Sequence, residues 1–350
     1  MRNIWILVGL ALPGLCVGAL DISQPNELES IDKSAVLPCS KQESPLSTLC
    51  ALSTDIQALW NRQKDAVVKV MGSKKGNNGP ESLLFGTGFF ADPEGNILTT
   101  ATIVTEAENL WVEYQGLSYA ATVVGKDPVT NIAVINLLKK PEHFTPVLLP
   151  ETPYFTATPE GCIVIAIGCV LGMEPAPLWG LITGKNIVFD GRVFATTYLR
   201  TDIGMCGGES GAPVFNADGS LCGILIASLP ELRSSFIISA HALTRISNDI
   251  VKWKSVPYCS AGFSVRGQMT ELGGKEVIIS AIDAQKIKYS GTETLQLGDT
   301  IAKIGAQNIA NESDIADILF FKHPGEVINI QVIRNGKAVQ ISILLGEKIF

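Results

Sequence analysis

The sequence predicts a mainly β protein in which two β-barrels are followed by a smaller domain of strands and one helix. Three observations lead to this fold class. About a dozen short segments rich in β-branched and aromatic residues follow one another without long helices between them, which is typical of barrels and sandwiches. The 33 glycines and 18 prolines are scattered along the chain, as expected for many turns. After Pro257 a new set of strands begins, which indicates a second folding unit.

Length and composition set the frame for this prediction. A chain of 350 residues has room for two domains, and with 46% hydrophobic and 17% charged residues each domain can bury a core. This composition excludes a largely disordered chain. The formal net charge is −7 and no run of lysine or arginine forms a basic stripe, which excludes nucleic acid as a partner.

The N-terminus has the pattern of an export signal, predicted over residues 1–19. Arg2 provides the positive start, residues 4–12 are apolar, and small residues at 17–19 precede a cleavage point near Leu20. Two alternatives stay open, an uncleaved anchor and a lipid anchor on Cys16, although Leu15 does not fit the small residue expected before a lipidated cysteine. The predicted location is exported, periplasmic or extracellular, with membrane association through the N-terminus as the variant.

Export places the cysteines where disulfides can form. Of the eight cysteines, Cys16 would leave with the signal, and an odd number would remain, so at least one thiol is free or pairs with another chain. Cys39 and Cys50 are close enough in sequence to form a staple. Cys206 either pairs with Cys222 or Cys169 or is a free, buried thiol.

The elements follow in order along the chain. Residues 20–64 form a leader with a helix predicted from Ser47 to Lys64, and from Ala66 onward the period changes to that of strands. A helix at 242–253 closes the domain predicted over 65–256. The predicted strands of this domain are 66–70, 88–90, 96–99, 110–114, 120–124, 132–137, 162–167, 180–187, 192–199, 212–215, 221–226 and 235–239.

The second domain is predicted over residues 257–350. Strands at 262–265, 276–280 and 300–304 precede an amphipathic helix at 312–321. The last two strands, 327–333 and 338–344, flank Asn335-Gly336, a strong signal for a two-residue hairpin.

The chemistry is concentrated in the segment Gly208-Glu209-Ser210-Gly211-Ala212-Pro213. A serine between glycines on a tight turn ahead of a strand exposes its hydroxyl beside free backbone N–H groups. Such N–H groups bind the oxyanion that develops in acyl transfer. The hexapeptide alone is a weak signal, because glycine-rich turns are common.

Further motifs in the right order make the chain resemble the HtrA (Deg) family of serine proteases. The segment at 201–213 is similar to the family's T-D-x₅-G-N-S-G-G-P, 86–100 to its G-S-G-F opening, 123–135 to its V-x-G-x-D-P-x-T-D-L-A-V-L, and 297–305 to its A-G-D strand. The resemblance covers residues 60–346. It implies a trypsin-like double barrel over 65–256, a PDZ domain over 257–350 and assembly as trimers.

Carried over residue by residue, the family's catalytic triad is incomplete. Ser210 stands at the nucleophile position, with the N–H groups of Gly208 and Ser210 as the oxyanion hole, but Thr102 stands at the histidine position and Asn131 at the aspartate position. The first histidine of the chain, His143, already lies beyond Asn131. A threonine hydroxyl cannot accept a proton at neutral pH, and loss of the histidine costs about a million-fold in turnover in the subtilisin series.

Other bases are weaker candidates. His143 is predicted in a surface loop, His241 as a packed or capping residue and His323 as an exposed residue of the second domain; Lys185 is the remaining candidate for a lysine-assisted serine. The family's asparagine before the nucleophile is replaced by Glu209, and its second following glycine is replaced by Ala212.

The resemblance also implies peptide capture. PDZ domains add a ligand's C-terminal strand to a sheet edge and hold its carboxylate on a loop, here Ser260, Ala261, Gly262 and Phe263; a blocked groove is the alternative. The sequence thus predicts an exported pseudoprotease without cofactor or metal that binds unfolded or C-terminal polypeptide segments. It would act as a chaperone-like or regulatory protein in envelope quality control, as a homotrimer or with an active relative. The alternatives are an active serine endopeptidase with an unorthodox base and a purely structural envelope protein.

Overall fold

The computed structural model describes residues 45–75, 82–151, 158–189, 192–269 and 273–348. The chain divides into two compact units, Met1–Thr48 and Leu49–Phe350, and the architecture below is that of the second unit. The predicted signal at 1–19, most of the leader, Cys16 and Cys39 lie outside the described residues.

The first barrel follows helix α1, Pro45–Gln63, and a single 3-10 turn at Lys64–Ala66. Its six strands close in the order β1-β2-β3-β6-β5-β4. The short helix α2, Ala101–Glu106, follows β3 directly and was not predicted from the sequence. The strands are β1 Val67–Lys74, β2 Ser82–Phe90, β3 Asn96–Thr100, β4 Asn109–Tyr114, β5 Leu117–Asp127 and β6 Ile132–Leu137.

The second barrel repeats this closure with six further strands in the order β10-β11-β12-β9-β8-β7. Closure leaves no open sheet edge, and β3, β6 and β7 are buried along almost their whole length. The prediction of two barrels is therefore confirmed. The strands are β7 Ile163–Gly168, β8 Ala176–Phe189, β9 Arg192–Thr201, β10 Pro213–Asn216, β11 Leu221–Leu229 and β12 Ser234–Ser239.

Helix α3, Ala240–Trp253, packs on the barrels through a buried apolar face that includes Leu243, Ile246 and Ile250. The Ser239 side chain accepts a hydrogen bond from the Ala242 N–H and caps the helix. Lys254 ends it in the left-handed conformation at φ +64°. The sequence predicted this helix two residues short, because its first turn continues directly from β12.

A third sheet contains the remaining long strands in the order β14-β15-β17-β19-β20-β16, with β18 paired to β17. Helix α4, Glu312–Phe320, begins with a capping box between Asn311 and Asp314. The hairpin predicted at Asn335-Gly336 is confirmed, with both residues at positive φ. The strands of this sheet are β14 Phe263–Met269, β15 Lys275–Ile282, β16 Lys288–Tyr289, β17 Thr300–Ile304, β18 Gln307–Asn308, β19 Val327–Arg334 and β20 Lys337–Leu344; β13 Cys259–Ser260 and β21 Gly346–Glu347 pair with each other in a separate two-stranded sheet.

Helix α4 is fixed to strand β9 of the second barrel through one carboxylate. Asp317 accepts hydrogen bonds from the Thr196 hydroxyl (2.7 Å), the Thr197 N–H (2.7 Å) and the Thr197 hydroxyl (2.6 Å). One turn further on, Phe320 is 3% exposed and joins the barrel core. The third sheet is thus attached to the barrels by both a polar clamp and apolar packing.

All six cysteines of the described residues are free thiols. The alternative that Cys206 pairs with Cys222 or Cys169 is therefore wrong for this structure, since both potential partners are buried. Cys206 is free, as the other alternative has it, but it is exposed and not buried. Burial raises the pKa of Cys169 to about 12 and that of Cys222 to about 11, as expected for inert, packed thiols. No helix among the described residues is long and apolar enough to cross a membrane.

Candidate active site

Ser210 lies on the tight turn that leads from β9 into β10, with glycines at positive φ on either side. Gly208 has φ +95° and Gly211 has φ +96°. A Cβ at Gly208 would lie 2.4 Å from the Cys169 carbonyl oxygen, and one at Gly211 would lie 2.0 Å from the Thr87 carbonyl oxygen. The backbone of this turn can therefore approach Thr87 of the first barrel and Cys169 of the second only because both positions are glycine.

The turn is held from the first barrel by Thr87, a fully buried residue of β2. Its N–H donates to the Ser210 carbonyl at 2.9 Å, and its hydroxyl donates to the Gly208 carbonyl at 2.7 Å. The same hydroxyl accepts from the Cys169 N–H at 2.9 Å. With both carbonyls of the turn fixed, the intervening N–H groups have a defined orientation.

The predicted oxyanion hole is open. Within the described part of the chain, neither the Gly208 N–H nor the Ser210 N–H donates to a protein acceptor. The Gly207 carbonyl, which would enter the hole if its peptide rotated, instead accepts from the Leu171 N–H at 2.7 Å. Two backbone donors are thus available to an oxygen of a bound group.

Thr102 and Asn131, which were aligned with the histidine and the aspartate, lie side by side. Asn131 Oδ1 accepts from the Thr102 N–H at 2.9 Å and from the Thr102 hydroxyl at 2.8 Å. Asn131 Nδ2 donates to the Ile226 carbonyl at 3.3 Å. This pattern fixes the amide orientation, since the reverse would direct an NH₂ group against two donors. The pair is a neutral hydrogen-bonded link between α2 and the turn before β6.

Ser210 Oγ has two hydrogen-bond neighbours, and neither is a base. The Thr100 hydroxyl lies at 3.5 Å and the Ile226 carbonyl at 3.4 Å, both at the outer limit of a hydrogen bond. No hydrogen bond joins Ser210 to Thr102 among the described residues. A nucleophilic serine needs a proton acceptor of near-neutral pKa within reach, and among the described residues no such group lies at hydrogen-bond distance from Ser210 Oγ.

The other base candidates have different surroundings. His143 lines a surface pocket with Asp65 and Phe144. His241 lines a separate cavity of about 310 Å³ with Asp218 and Cys222, and burial lowers its pKa. His323 Nε2 lies 2.9 Å from Asp249 Oδ1 on the far side of α3. Lys185 is an exposed residue of β8. Within the described ranges, no hydrogen bond joins any of the four to Ser210.

Glu209, beside the nucleophile, points into the protein and is fully buried. Its Oε2 accepts from the Cys206 N–H at 2.5 Å, while its Oε1 is buried with no hydrogen-bond partner among the described residues. Desolvation raises the pKa of this carboxyl, only partly opposed by the Cys206 bond. The side chain braces the loop from inside, and its charge does not face the space above Ser210.

The predicted carboxylate-binding loop leads into β14, the edge strand of the third sheet. Ser260 ends β13 opposite Gly346, Gly262 turns the chain at φ +72°, and Phe263 begins β14. The Gly262 carbonyl accepts from the Asp283 N–H at 2.9 Å. Ala261 and Gly262 are both buried, and the Gly262 N–H donates to the Ser260 hydroxyl at 3.3 Å.

Sequence reasoning missed three residues of this site: Thr87, Thr100 and Ile226. Thr87 is part of the segment 86–100 that was noted for its motif, but a hydroxyl that bonds a turn 121 residues away leaves no local pattern. Ile226 contributes only its backbone carbonyl, and the identity of its side chain does not indicate that this carbonyl lies near Ser210. Thr100 could have been found from its place two residues before Thr102.

The comparisons with known proteins agree with this geometry. The model of the trypsin-like peptidase domain matches residues 86–224. A solved structure of the HtrA-type protease AlgW with a tripeptide superposes with a TM-score of 0.68 at 21% identity, covering 84% of this chain and 98% of that one. A serine endoprotease from Yersinia pestis gives a TM-score of 0.57 at 21% identity, with coverage of 84% and 98%. These likenesses show the fold.

Curated relatives extend the match over most of the chain. A probable periplasmic serine endoprotease, DegP-like, of Pseudomonas putida F1 is 26% identical over 284 residues, covering 78% of this chain and 58% of the relative. A protein of the same description from Chlamydia pneumoniae is 24% identical, with coverage of 75% and 55%. The chain thus spans little more than half the length of these relatives. By its matched domain, its relatives and its double-barrel fold, the chain is similar to the HtrA/Deg family of trypsin-like serine proteases.

Proposed function

We propose that this chain is an exported HtrA-like pseudoprotease that binds polypeptide segments without cleaving them. One observation carries the proposal: among the described residues, Ser210 Oγ is within hydrogen-bond reach of a threonine hydroxyl and a backbone carbonyl only. Both groups are far too weakly basic to take its proton. An oxyanion hole without a base retains about 10³–10⁴-fold over water in the subtilisin case, which is negligible as proteolysis.

The hydrogen-bonded pair of Thr102 and Asn131 is a second observation that supports the proposed lack of proteolytic activity. The Thr102 hydroxyl donates to Asn131 Oδ1, so its proton is directed away from Ser210. An amide oxygen at this position carries no charge with which to stabilise a protonated base. Both elements of proton transfer are replaced by one neutral hydrogen-bonded pair, which maintains the local structure.

Binding of polypeptides is the part of the function that we assign to the third sheet. Its edge strand β14 follows the loop at Ser260–Phe263, an arrangement suited to strand addition by a peptide with a free C-terminus. The AlgW structures, solved with a tripeptide and with a decapeptide, are peptide complexes. The periplasmic relatives and the signal-like N-terminus favour an exported location. We include a PDZ role, a chaperone-like or regulatory action and assembly as a trimer or with an active relative in this proposal.

The decisive experiment uses a fluorophosphonate probe on three proteins: the natural chain, Ser210→Ala, and the double variant Thr102→His/Asn131→Asp. We expect no labelling of the first two. Because the nucleophile turn and the oxyanion hole are kept, the double variant should gain labelling at Ser210 by about 100-fold or more. Strong labelling of the natural chain that disappears in Ser210→Ala would overturn the proposal.

An active endopeptidase is the second candidate, and the open oxyanion hole is the observation that favours it. It would require a base absent from the surroundings of Ser210 described above. The same probe experiment separates the two candidates. Peptide binding is measured independently, by fluorescence anisotropy of a labelled peptide with an apolar C-terminal residue against the same peptide amidated at its C-terminus. Equal affinity of the two forms would exclude capture of a terminal carboxylate.

A further inference from the structure

Strand β14 forms one edge of the third sheet and has backbone groups that face outward. It pairs with β15 on one side only. In an antiparallel strand, alternate residues direct their N–H and C=O groups to opposite sides. Gly267 directs its N–H away from β15, and the same holds by alternation for Val265, two residues earlier. These outward groups are where an added peptide strand would pair.

The outward N–H of Gly267 is already occupied by a side chain of the same domain. Glu312, the first residue of α4, accepts a hydrogen bond from this N–H through Oε1. A Cβ at position 267 would lie 2.8 Å from Glu312 Oε1, so the absence of a side chain at Gly267 permits the close approach. The carboxylate therefore stands in the place that the carbonyl oxygen of a paired peptide would take.

The Glu312 carboxylate makes this bond without a salt bridge. Among the described residues no lysine, arginine or histidine lies within salt-bridge distance of it. The other acidic residues of α4 are engaged: Asp314 in the helix cap and Asp317 with the second barrel. Glu312 is thus the one carboxylate of this helix that can exchange its partner when a ligand arrives.

We infer that Glu312 selects the peptides that this edge accepts, favouring C-terminal segments with a basic residue about four positions before the last residue. The inference rests on the proposed peptide-binding function. A ligand whose C-terminus sits at Phe263 and which pairs along β14 reaches Gly267 about four residues from its end, since antiparallel partners advance together. Its backbone takes the Gly267 N–H and displaces Glu312.

The displaced carboxylate determines the preference. Glu312 is exposed, so after displacement from the Gly267 N–H its carboxylate keeps its negative charge beside the bound strand. A lysine or arginine of the ligand supplies a new, charge-assisted donor. An acidic side chain at the same place is repelled. Ligands too short to reach Gly267 leave Glu312 undisturbed and show no preference.

The test uses fluorescence anisotropy with full-length protein and labelled decapeptides that end in the same apolar residue. The peptides differ only in having Lys, Ala or Glu at the position four residues before the last, with the neighbouring positions scanned in the same way. We expect the Lys peptide to bind about three- to five-fold more tightly than the Ala peptide, and the Glu peptide more weakly. The difference should shrink at high salt.

Two variants identify the residue responsible. Glu312→Gln should abolish the preference among the peptides, whereas Glu293→Gln, an exposed carboxylate in a loop outside α4 and β14, should keep it. Binding of all peptides with equal affinity, or an unchanged preference in Glu312→Gln, would overturn the inference while leaving peptide binding intact. Failure of every peptide to bind would instead overturn the proposed function, and this inference with it.

Discussion

At the scale of single residues, Glu209 shows how a carboxyl group next to Ser210 can be accommodated inside the protein. The carboxyl group is fully buried, and one of its oxygens braces the Cys206 N–H. Burial disfavours the charged form and raises the pKa, so the folded protein takes up this proton at a higher pH than the unfolded chain does. Stability contributed by this group is therefore lost as the pH rises through its folded-state pKa.

Replacement of Glu209 by glutamine, its neutral isostere, removes this pH dependence of the stability. Glu209→Gln keeps an acceptor for the Cys206 N–H but has no proton to lose. We expect the free energy of unfolding of this variant to increase relative to that of the natural chain between about pH 5 and about pH 8. Urea unfolding at both pH values measures this difference. Asp218→Asn, whose carboxylate has a lowered pKa, should show no such gain.

Thr87 connects the first barrel to the turn that contains Ser210. Thr87→Val removes one hydroxyl and leaves the Gly208 carbonyl and the Cys169 N–H without their partner. Because these groups are buried, we expect a loss of about 2–3 kcal/mol in the free energy of unfolding. Chemical denaturation measures it, with Thr122→Val on the exposed face of β5 as the control. A loss no larger than that of the control would contradict this role.

At the scale of elements, helix α4 connects the two sheets that could otherwise move separately. Its Asp317 binds three donors of β9, and its Glu312 contacts β14. Opposite ends of one short helix thus contact the barrel and the proposed peptide edge. A helix of nine residues has little stability of its own, so these tertiary contacts hold it in place.

The Asp317 clamp can be tested without removing the helix. Asp317→Asn keeps the shape of the side chain but exchanges one acceptor oxygen for an NH₂ group that faces donors. We expect a loss of about 2 kcal/mol in stability and faster amide hydrogen exchange in α4 and β9. Hydrogen-exchange mass spectrometry locates the change. Unaltered protection of β9, or faster exchange that is equal in Glu293→Gln, would argue against the clamp.

At the scale of the whole molecule, the third sheet and the barrels share an apolar contact. Phe320 lies under the Arg245 guanidinium, 4.7 Å from ring centroid to Cζ, and its ring is 6.2 Å from that of Tyr258. Because this contact belongs to the barrel core, we expect the described unit to unfold in a single cooperative transition.

Truncation of this side chain should uncouple the two parts. Phe320→Ala removes a buried ring and costs about 3–5 kcal/mol. We expect calorimetry to show an earlier transition for the third sheet, separate from that of the barrels. Val327→Ala, at an exposed position of the same sheet, serves as the control. A single transition that merely shifts to lower temperature in Phe320→Ala would show that the parts stay coupled by other contacts.

The fold class, and the chemical identity of the groups at the predicted triad positions, follow from the sequence alone. Strand periodicity and turn residues act locally, so the barrel strands and the Asn335-Gly336 hairpin were predicted close to their observed places. The sequence has no histidine before Asn131, and this fact does not depend on an alignment. The short helix α2 was missed because its six residues are too few for a helical period.

Only the tertiary structure decided what surrounds Ser210. Its neighbours, Thr100 and the Ile226 carbonyl, come from different barrels, and the Thr87 bond to Gly208 spans 121 residues. Such contacts depend on how closed sheets pack against each other, and a backbone carbonyl has no signature in side-chain identity. The same holds for the Glu312 bond to Gly267, which arises because helix α4 packs beside an open strand edge. Local patterns predict the elements, and their packing decides which polar groups meet.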